Sequence, residues 1–332
     1  MPKKSRLLSS LPNAYKNIYS FVPGFYNESD SYMKKVASFN DDFVQTASTK
    51  DMWIFDMDGV LYRGRDAIPG APEAITLLRK LSKKVVFLTN NSTRTREMYV
   101  ELLDAMNIEA SIDEIFTSAS ITIDWLEARA VEDNKTNDAV NVYVIGEDGL
   151  KIDLQKRGFA VKSDEDLDAD RTSCRAVDFV IVGLDRSLTY LKLDLALACL
   201  VGGAKFLVTN DDAALPVEGG AIAPGAGAIV QALVTCSKRT PDFGSPFGKP
   251  NPAVFHEIAR NTGTNLEAMI SVGDRLETDI LASIRAGVTC VLVLSGITKP
   301  GDTIPPEMMP DYILNSIDDM NELLVTKEAE VP

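Results

Sequence analysis

Asp56 and Asp58 stand two residues apart, at the end of the apolar run Trp53-Ile54-Phe55 and just before Gly59. Inside a strand such a pair faces opposite ways. Past the strand end the chain turns at Gly59, and both carboxylates approach one centre. Three more polar groups follow in chain order: Thr89-Asn90-Asn91 after the run Val85-Val86-Phe87-Leu88, then Gly248-Lys249-Pro250, then Gly273-Asp274 with Asp279 five residues further on. Asp56 and Asp274 offer hard oxygen ligands, which suit Mg²⁺ and not zinc. A dication among acids takes an anionic guest, and a phosphate fits, held also by Lys249 and by the Thr89 and Asn90 donors. Pro250 biases Lys249 toward an extended backbone. Taken singly, each group reads equally well as a turn, a helix start or a loop. Their number and order point to phosphate chemistry. A Ca²⁺ loop is excluded because Met57-Asp58-Gly59 lacks the remaining alternating ligands and the terminal Glu, and neither a Walker loop nor G-x-G-x-x-G occurs.

Composition narrows the chemistry from the other side. The 332 residues carry 34 Lys+Arg against 48 Asp+Glu, a net charge of −14, with a single histidine. So acidic a chain argues against nucleic acid and anionic membranes as partners, since both demand a basic face. One histidine, His256 on an expected helix over 253–260, leaves no material for a His-based triad or a His-rich metal site. The cysteines, Cys174, Cys199, Cys236 and Cys290, show no zinc spacing and have apolar or small neighbours, so buried reduced thiols are expected. No apolar run approaches the ~20 residues a bilayer span needs. Lys3, Lys4, Arg6 and Lys16 precede the first acid, Glu28. Cytoplasm is the expected location, with organelle targeting by residues 1–27 left open.

The elements that must position these residues follow from apolar patterning. Short apolar runs at 53–55, 84–88 and 114–117 alternate with helical spacing over 72–81 and 97–106, which predicts a parallel sheet with right-handed crossovers. A second strand–helix series begins at Val140, with strands expected at 140–145, 177–182 and 205–209. Strands return at 269–272, 290–294 and 312–314. The expected fold is α/β: a Rossmann-like parallel-sheet core over 51–123 and 224–332, with an inserted α/β domain over 124–223 and an N-terminal extension over 1–50. In such a sheet ligands bind outside the carboxyl ends of the strands, where the polar groups fall.

Asp56-Met57-Asp58-Gly59-Val60, Thr89-Asn90-Asn91-Ser92, Gly248-Lys249-Pro250 and Gly273-Asp274-Arg275-Leu276-Glu277-Thr278-Asp279 resemble the four ordered motifs of the haloacid dehalogenase superfamily. They resemble most its 4-nitrophenylphosphatase-like branch, which includes phosphoglycolate and pyridoxal phosphatases. The resemblance runs from about Trp53 to Leu314. It implies that the insert is a large C2-type cap, that Asp56 is the nucleophile forming an aspartyl phosphate, and that Asp58 is the general acid and base. It further implies Mg²⁺ on the Asp56 carboxylate, the Asp58 backbone carbonyl and Asp274, with Asp279 in support. Thr89, Asn90, Asn91 and Lys249 would bind the phosphoryl group, and a homodimer would form through the cap.

The expected partner is a small phosphorylated metabolite. The cap residues Leu184, Asp185, Asp212 and Leu215 are candidates for choosing it, and ordinary surface turns are the competing reading. Leu184 stands where vitamin-phosphate enzymes tend to have an aromatic, which puts 2-phosphoglycolate ahead of pyridoxal 5′-phosphate. An undemanding phosphoester hydrolase and a catalytically silent phospho-ligand sensor or scaffold remain open beside these. A phosphomutase remains open too.

Overall fold

The computed structural model describes residues 41–216 and 221–328. The targeting expectation for residues 1–27 lies outside them. In chain order the strands are β1 (Met52–Asp56), β2 (Tyr62–Arg63), β3 (Asp66–Ala67), β4 (Lys84–Thr89), β5 (Ile115–Thr117), β6 (Asn141–Ile145), β7 (Ala160–Lys162), β8 (Phe179–Val182), β9 (Lys205–Val208), β10 (Ala214–Pro216), β11 (Ile222–Pro224), β12 (Met269–Gly273), β13 (Thr289–Val293) and β14 (Tyr312–Leu314). They form a six-stranded sheet ordered β14-β13-β12-β1-β4-β5, a four-stranded sheet ordered β7-β6-β8-β9, and two small hairpins, β2–β3 and β10–β11. The chain is therefore α/β, with a parallel-sheet core.

The chain divides into two compact units. The described residues of the first are 41–87, 103–109 and 258–328. In it β1 pairs in parallel with β12, β12 with β13 and β13 with β14. Met52, Trp53, Ile54 and Phe55 are all buried, so β1 reads as an unbroken apolar run, as a strand covered on both faces must. Helix Ala71–Lys80 sets Pro72 in its first turn and buries Ala71, Ala74, Ile75, Leu77 and Leu78. It packs on helix Ile317–Glu328, and Asn321 Nδ2 donates to Gly70 O at 2.7 Å. Residues 41–49, which show no sustained periodicity, nevertheless form a helix. Phe43 is fully buried edge-on to Tyr312, with ring centroids 5.1 Å apart, and the Tyr312 hydroxyl bonds Asp42 and Thr46, each at 2.8 Å. The surplus of polar residues in this segment hides a three-residue apolar contact made of Phe43, Val44 and Ala47.

The second unit takes residues 88–102 and 110–257. Its β6, β8 and β9 run in parallel and share a core that includes Tyr143, Val180, Phe206, Leu195 and Leu233. Helix Tyr190–Gly202 starts at Thr189, whose side chain accepts the Lys192 N–H, and stops at the left-handed Gly203. Helix Ser118–Glu132 and strand β7 were not among the elements expected from the sequence. Three cysteines are buried, as expected, but Cys236 is exposed. It sits in the last turn of helix Ala226–Ser237, whose buried side is carried by Ala226, Ile229, Val230 and Leu233. Burial pushes the Cys290 thiol up to about 12, which keeps it an inert thiol.

Candidate active site

The carboxyl ends of two adjacent parallel strands bring the first acids together. Phe55 is in register with Val272, so Asp56 closes β1 beside the point where Asp274 follows β12. Asp279 joins them from a π-helical turn over Leu276–Ile280. Ligand oxygens of Asp56, Asp274 and Asp279 all lie within 4.8 Å of one another. Asp274 is 4 % exposed and Asp279 3 %. The Asp274 carboxylate accepts the Ile297 N–H at 2.6 Å, and its carbonyl accepts the Thr298 N–H at 3.0 Å. Asp279 accepts the Arg275 N–H at 3.2 Å and the Thr278 hydroxyl at 3.3 Å.

Glycine makes this closeness attainable. At Gly59, with φ +89°, a Cβ would stand 2.9 Å from Asp274 Cγ, and a Cβ on Gly296 would overlap the same carboxylate. The turn after Asp56 is held by Leu61 and Tyr62 N–H groups, both donating to Met57 O, and by the Gly59 N–H donating to Tyr62 O at 2.8 Å. It leaves Asp58 exposed while Met57 and Gly59 on either side are buried. Three carboxylates this close repel one another unless a cation or proton intervenes. An all-oxygen, all-anionic donor set is what a hard dication takes.

In the second unit, Lys249 (4 % exposed) is gripped by Asn90. The Asn90 Oδ1 accepts the Lys249 N–H and its Nδ2 donates to Lys249 O, both at 2.8 Å. The Lys249 ammonium donates to Leu88 O at 3.4 Å. Thr89 is buried, and its hydroxyl accepts the Asn91 N–H at 3.1 Å. Asn91 turns its Oδ1 to Thr93, taking the N–H at 2.9 Å and the hydroxyl at 2.7 Å. These bonds shape the loop through the carbonyl oxygen of Asn91 alone.

Among the residues expected to choose the substrate, Asp212 is in the Lys249 cluster: its Oδ2 accepts from Asn90 Nδ2 at 3.0 Å and from Asn210 Nδ2 at 2.7 Å. Asp185 is buried and committed to Lys192, 2.8 Å away, and to the Ser187 N–H. Leu184 and Leu215 are half-buried. Glu147, whose Gly146-Glu147-x-Gly149-Leu150 stretch supports the resemblance but which was given no site role, takes Arg186 in a two-point ion pair at 2.6 and 2.7 Å. That contact holds its carboxyl below the usual range, against a smaller opposing effect of burial. Gly296 was passed over, because a glycine carries no chemical group of its own; beside it, the Ser295 hydroxyl donates to Gly59 O at 2.7 Å.

A parallel-sheet α/β enzyme with an aspartate-lined strand edge is the class that these features define. A family model described as haloacid dehalogenase-like hydrolase matches residues 53–160, and a second, HAD-hydrolase-like model matches residues 246–320. The chain is 33 % identical to an acid sugar phosphatase of Staphylococcus epidermidis, over 83 % of this chain and 97 % of that protein. Solved structures agree. A 4-nitrophenylphosphatase from Thermotoga maritima superposes with TM-score 0.74 at 31 % identity, covering 84 % of this chain and 99 % of its own. A hypothetical protein from Pyrococcus horikoshii gives TM-score 0.72 at 39 % identity, covering 82 % and 99 %. The chain belongs to the haloacid dehalogenase-like hydrolases, and it is a phosphatase.

Proposed function

We propose that the protein hydrolyses small phosphate monoesters through an aspartyl phosphate on Asp56, with Mg²⁺ as cofactor. The observation that carries this reading is the cluster of Asp56, Asp274 and Asp279 within 4.8 Å at the ends of adjacent strands. Its donors fit Mg²⁺: three carboxylates, no nitrogen or sulfur, and glycines at 59 and 296 that leave room for close approach. Asp56, Asp274 and the Asp58 carbonyl would hold the ion, with Asp279 in support. When bound, it neutralises phosphoryl charge and lets an anionic nucleophile approach an anionic ester.

A carboxylate oxygen of Asp56 forms the bond to phosphorus while the ester P–O bond breaks. Asp58, exposed beside it, gives its proton to the departing alkoxide. In the second step Asp58 takes a proton from water as that water attacks phosphorus, releasing inorganic phosphate and restoring the Asp56 carboxylate. Lys249 and Thr89 hold the phosphoryl oxygens. The Asn90 amide is taken up by Lys249 and Asp212, so its part is to hold Lys249, and Asn91 sets the loop. Catalysis of this kind is mostly positioning and charge stabilisation.

Substrate choice falls to the segment 124–223, read as a cap inserted in a core of 51–123 and 224–332. 2-Phosphoglycolate is the first candidate, and Leu184 supplies no ring to stack on pyridoxal 5′-phosphate. The relative named acid sugar phosphatase favours a second reading, a phosphorylated acid sugar. A homodimer formed through the cap, which the resemblance implies, and the cytoplasmic location expected from the sequence complete the proposal.

The test is hydrolysis of 4-nitrophenyl phosphate with Mg²⁺ against EDTA, followed by kcat/KM across a panel that includes both candidate esters. Asp56→Asn should abolish turnover, a loss of at least ~10³-fold, while the circular dichroism spectrum shows the fold intact. Wild-type rates in that variant would remove the nucleophile from the scheme.

A further inference from the structure

We infer that Asp212 is a positioning residue for the phosphate-binding lysine, acting through Asn90; this rests on the reading above of Lys249 as a phosphoryl ligand. An asparagine side chain has two N–H donors and one carbonyl, and at ordinary packing its two orientations are nearly isosteric. Asn90 must present them in one order only, with Oδ1 to the Lys249 N–H and Nδ2 to Lys249 O, both at 2.8 Å. Reversal would set carbonyl against carbonyl and N–H against N–H, and the grip on Lys249 would be lost. The Lys249 main chain cannot prevent slippage by itself, because it lies on a loop between Gly248 and Pro250.

Asp212 supplies the missing constraint. A carboxylate only accepts, so Oδ2 at 3.0 Å fixes the second Asn90 N–H and forbids the reversed amide. The same oxygen takes Asn210 Nδ2 at 2.7 Å, and Asn210 Oδ1 accepts the Thr209 hydroxyl at 3.0 Å. The Asp212 backbone is pinned in turn. Its carbonyl accepts the Gly227 N–H at 3.0 Å, and a Cβ on Gly225 would stand 2.9 Å from its carbonyl carbon. Thr209 O accepts the Gly248 N–H at 2.7 Å, and a Cβ on Gly248 would stand 2.7 Å from Asn90 Oδ1. Asn90, Asp212 and Lys249, far apart in sequence, thus form one hydrogen-bonded unit whose last member is the lysine.

The experiment is a double-mutant cycle on the full chain with Mg²⁺ and 4-nitrophenyl phosphate, reading kcat, KM, the inhibition constant of inorganic phosphate and the melting temperature. Asp212→Ala should lower kcat/KM by about 10- to 100-fold, the loss expected for a charge-assisted hydrogen bond, and the phosphate inhibition constant should rise with it. Asp212→Asn, which keeps one acceptor, should lose less. In the Asn90→Ala background, Asp212→Ala should change kcat/KM by less than ~2-fold. A full, multiplying loss in that background overturns the assignment. Should Asn90→Ala fail to fold, Lys249→Met serves as the background: with the ammonium gone there is nothing to position, and the Asp212 factor must again vanish. Lys249→Met also separates the two levels. If it hydrolyses at the wild-type rate, the reading of Lys249 fails; if it is crippled while the cycle multiplies, only the role of Asp212 fails.

Discussion

The carboxylates at this site depend on residues with no side chain at all. Asp274 fits between Gly59 and Gly296 because neither carries a Cβ, and Gly273 leaves the same kind of room for Asp279. Gly296→Ala should therefore push the Asp274 carboxylate aside and raise the Mg²⁺ concentration for half-maximal hydrolysis by ~10-fold or more, the scale of effect seen when support for a metal ligand is lost. A magnesium titration of hydrolysis in that variant, beside its melting temperature, checks this; an unchanged midpoint would show that Asp274 moves without consequence. Aspartates 56, 58, 274 and 279 were legible from their types and order in the sequence. Gly296 was not, because its role is to leave a space and only a neighbour distant in sequence reveals that.

Among the elements, the helix over 41–49 shows how a short contact is lost in a polar stretch. Phe43 lies against Trp53 and Tyr312, centroids 6.4 and 5.1 Å away, with no exposed surface. Phe43→Ala should cost about 3–5 kcal/mol, measured by urea unfolding; a cost below ~1 kcal/mol would mean that the helix is dispensable. A second element-scale prediction concerns Asp153 on helix Asp148–Lys156. Burial, reinforced by Glu97, raises its carboxyl to about 6, although Lys156, Arg96 and Arg157 oppose the shift. A folded-state value above the 3.8 of a free aspartate means the native chain holds a proton that the unfolded chain has released. Stability from this group is then full below about pH 4 and falls as pH rises to about 6. Asp153→Asn should raise the stability measured by urea unfolding at pH 7.5 by on the order of 1 kcal/mol once solvent screening is allowed for, and change it little near pH 3.5. An equal gain at both pH values would assign the effect to packing.

For the whole molecule, the charge of −14 and the three close carboxylates would make the proposed cation binding a stability term as well as a catalytic one. Mg²⁺ at 100 times its dissociation constant should add about 2.7 kcal/mol, seen as a rise in melting temperature that EDTA reverses and that Asp274→Asn lacks. A rise of the same size in Asp274→Asn would place the ion elsewhere. The α/β class and the places where strands stop could be read from the sequence because apolar runs ending in polar turns are local signals, set by burial on both faces of a sheet. The acid pair at 56 and 58 and the ordered motifs behind it were equally local. The grip of Asn90 on Lys249, its lock by Asp212 and the packing of Phe43 were not. Each depends on residues tens to hundreds of positions apart meeting at one point, and hydrogen-bond direction and steric vacancy are properties of that meeting, which exist only once the chain has folded.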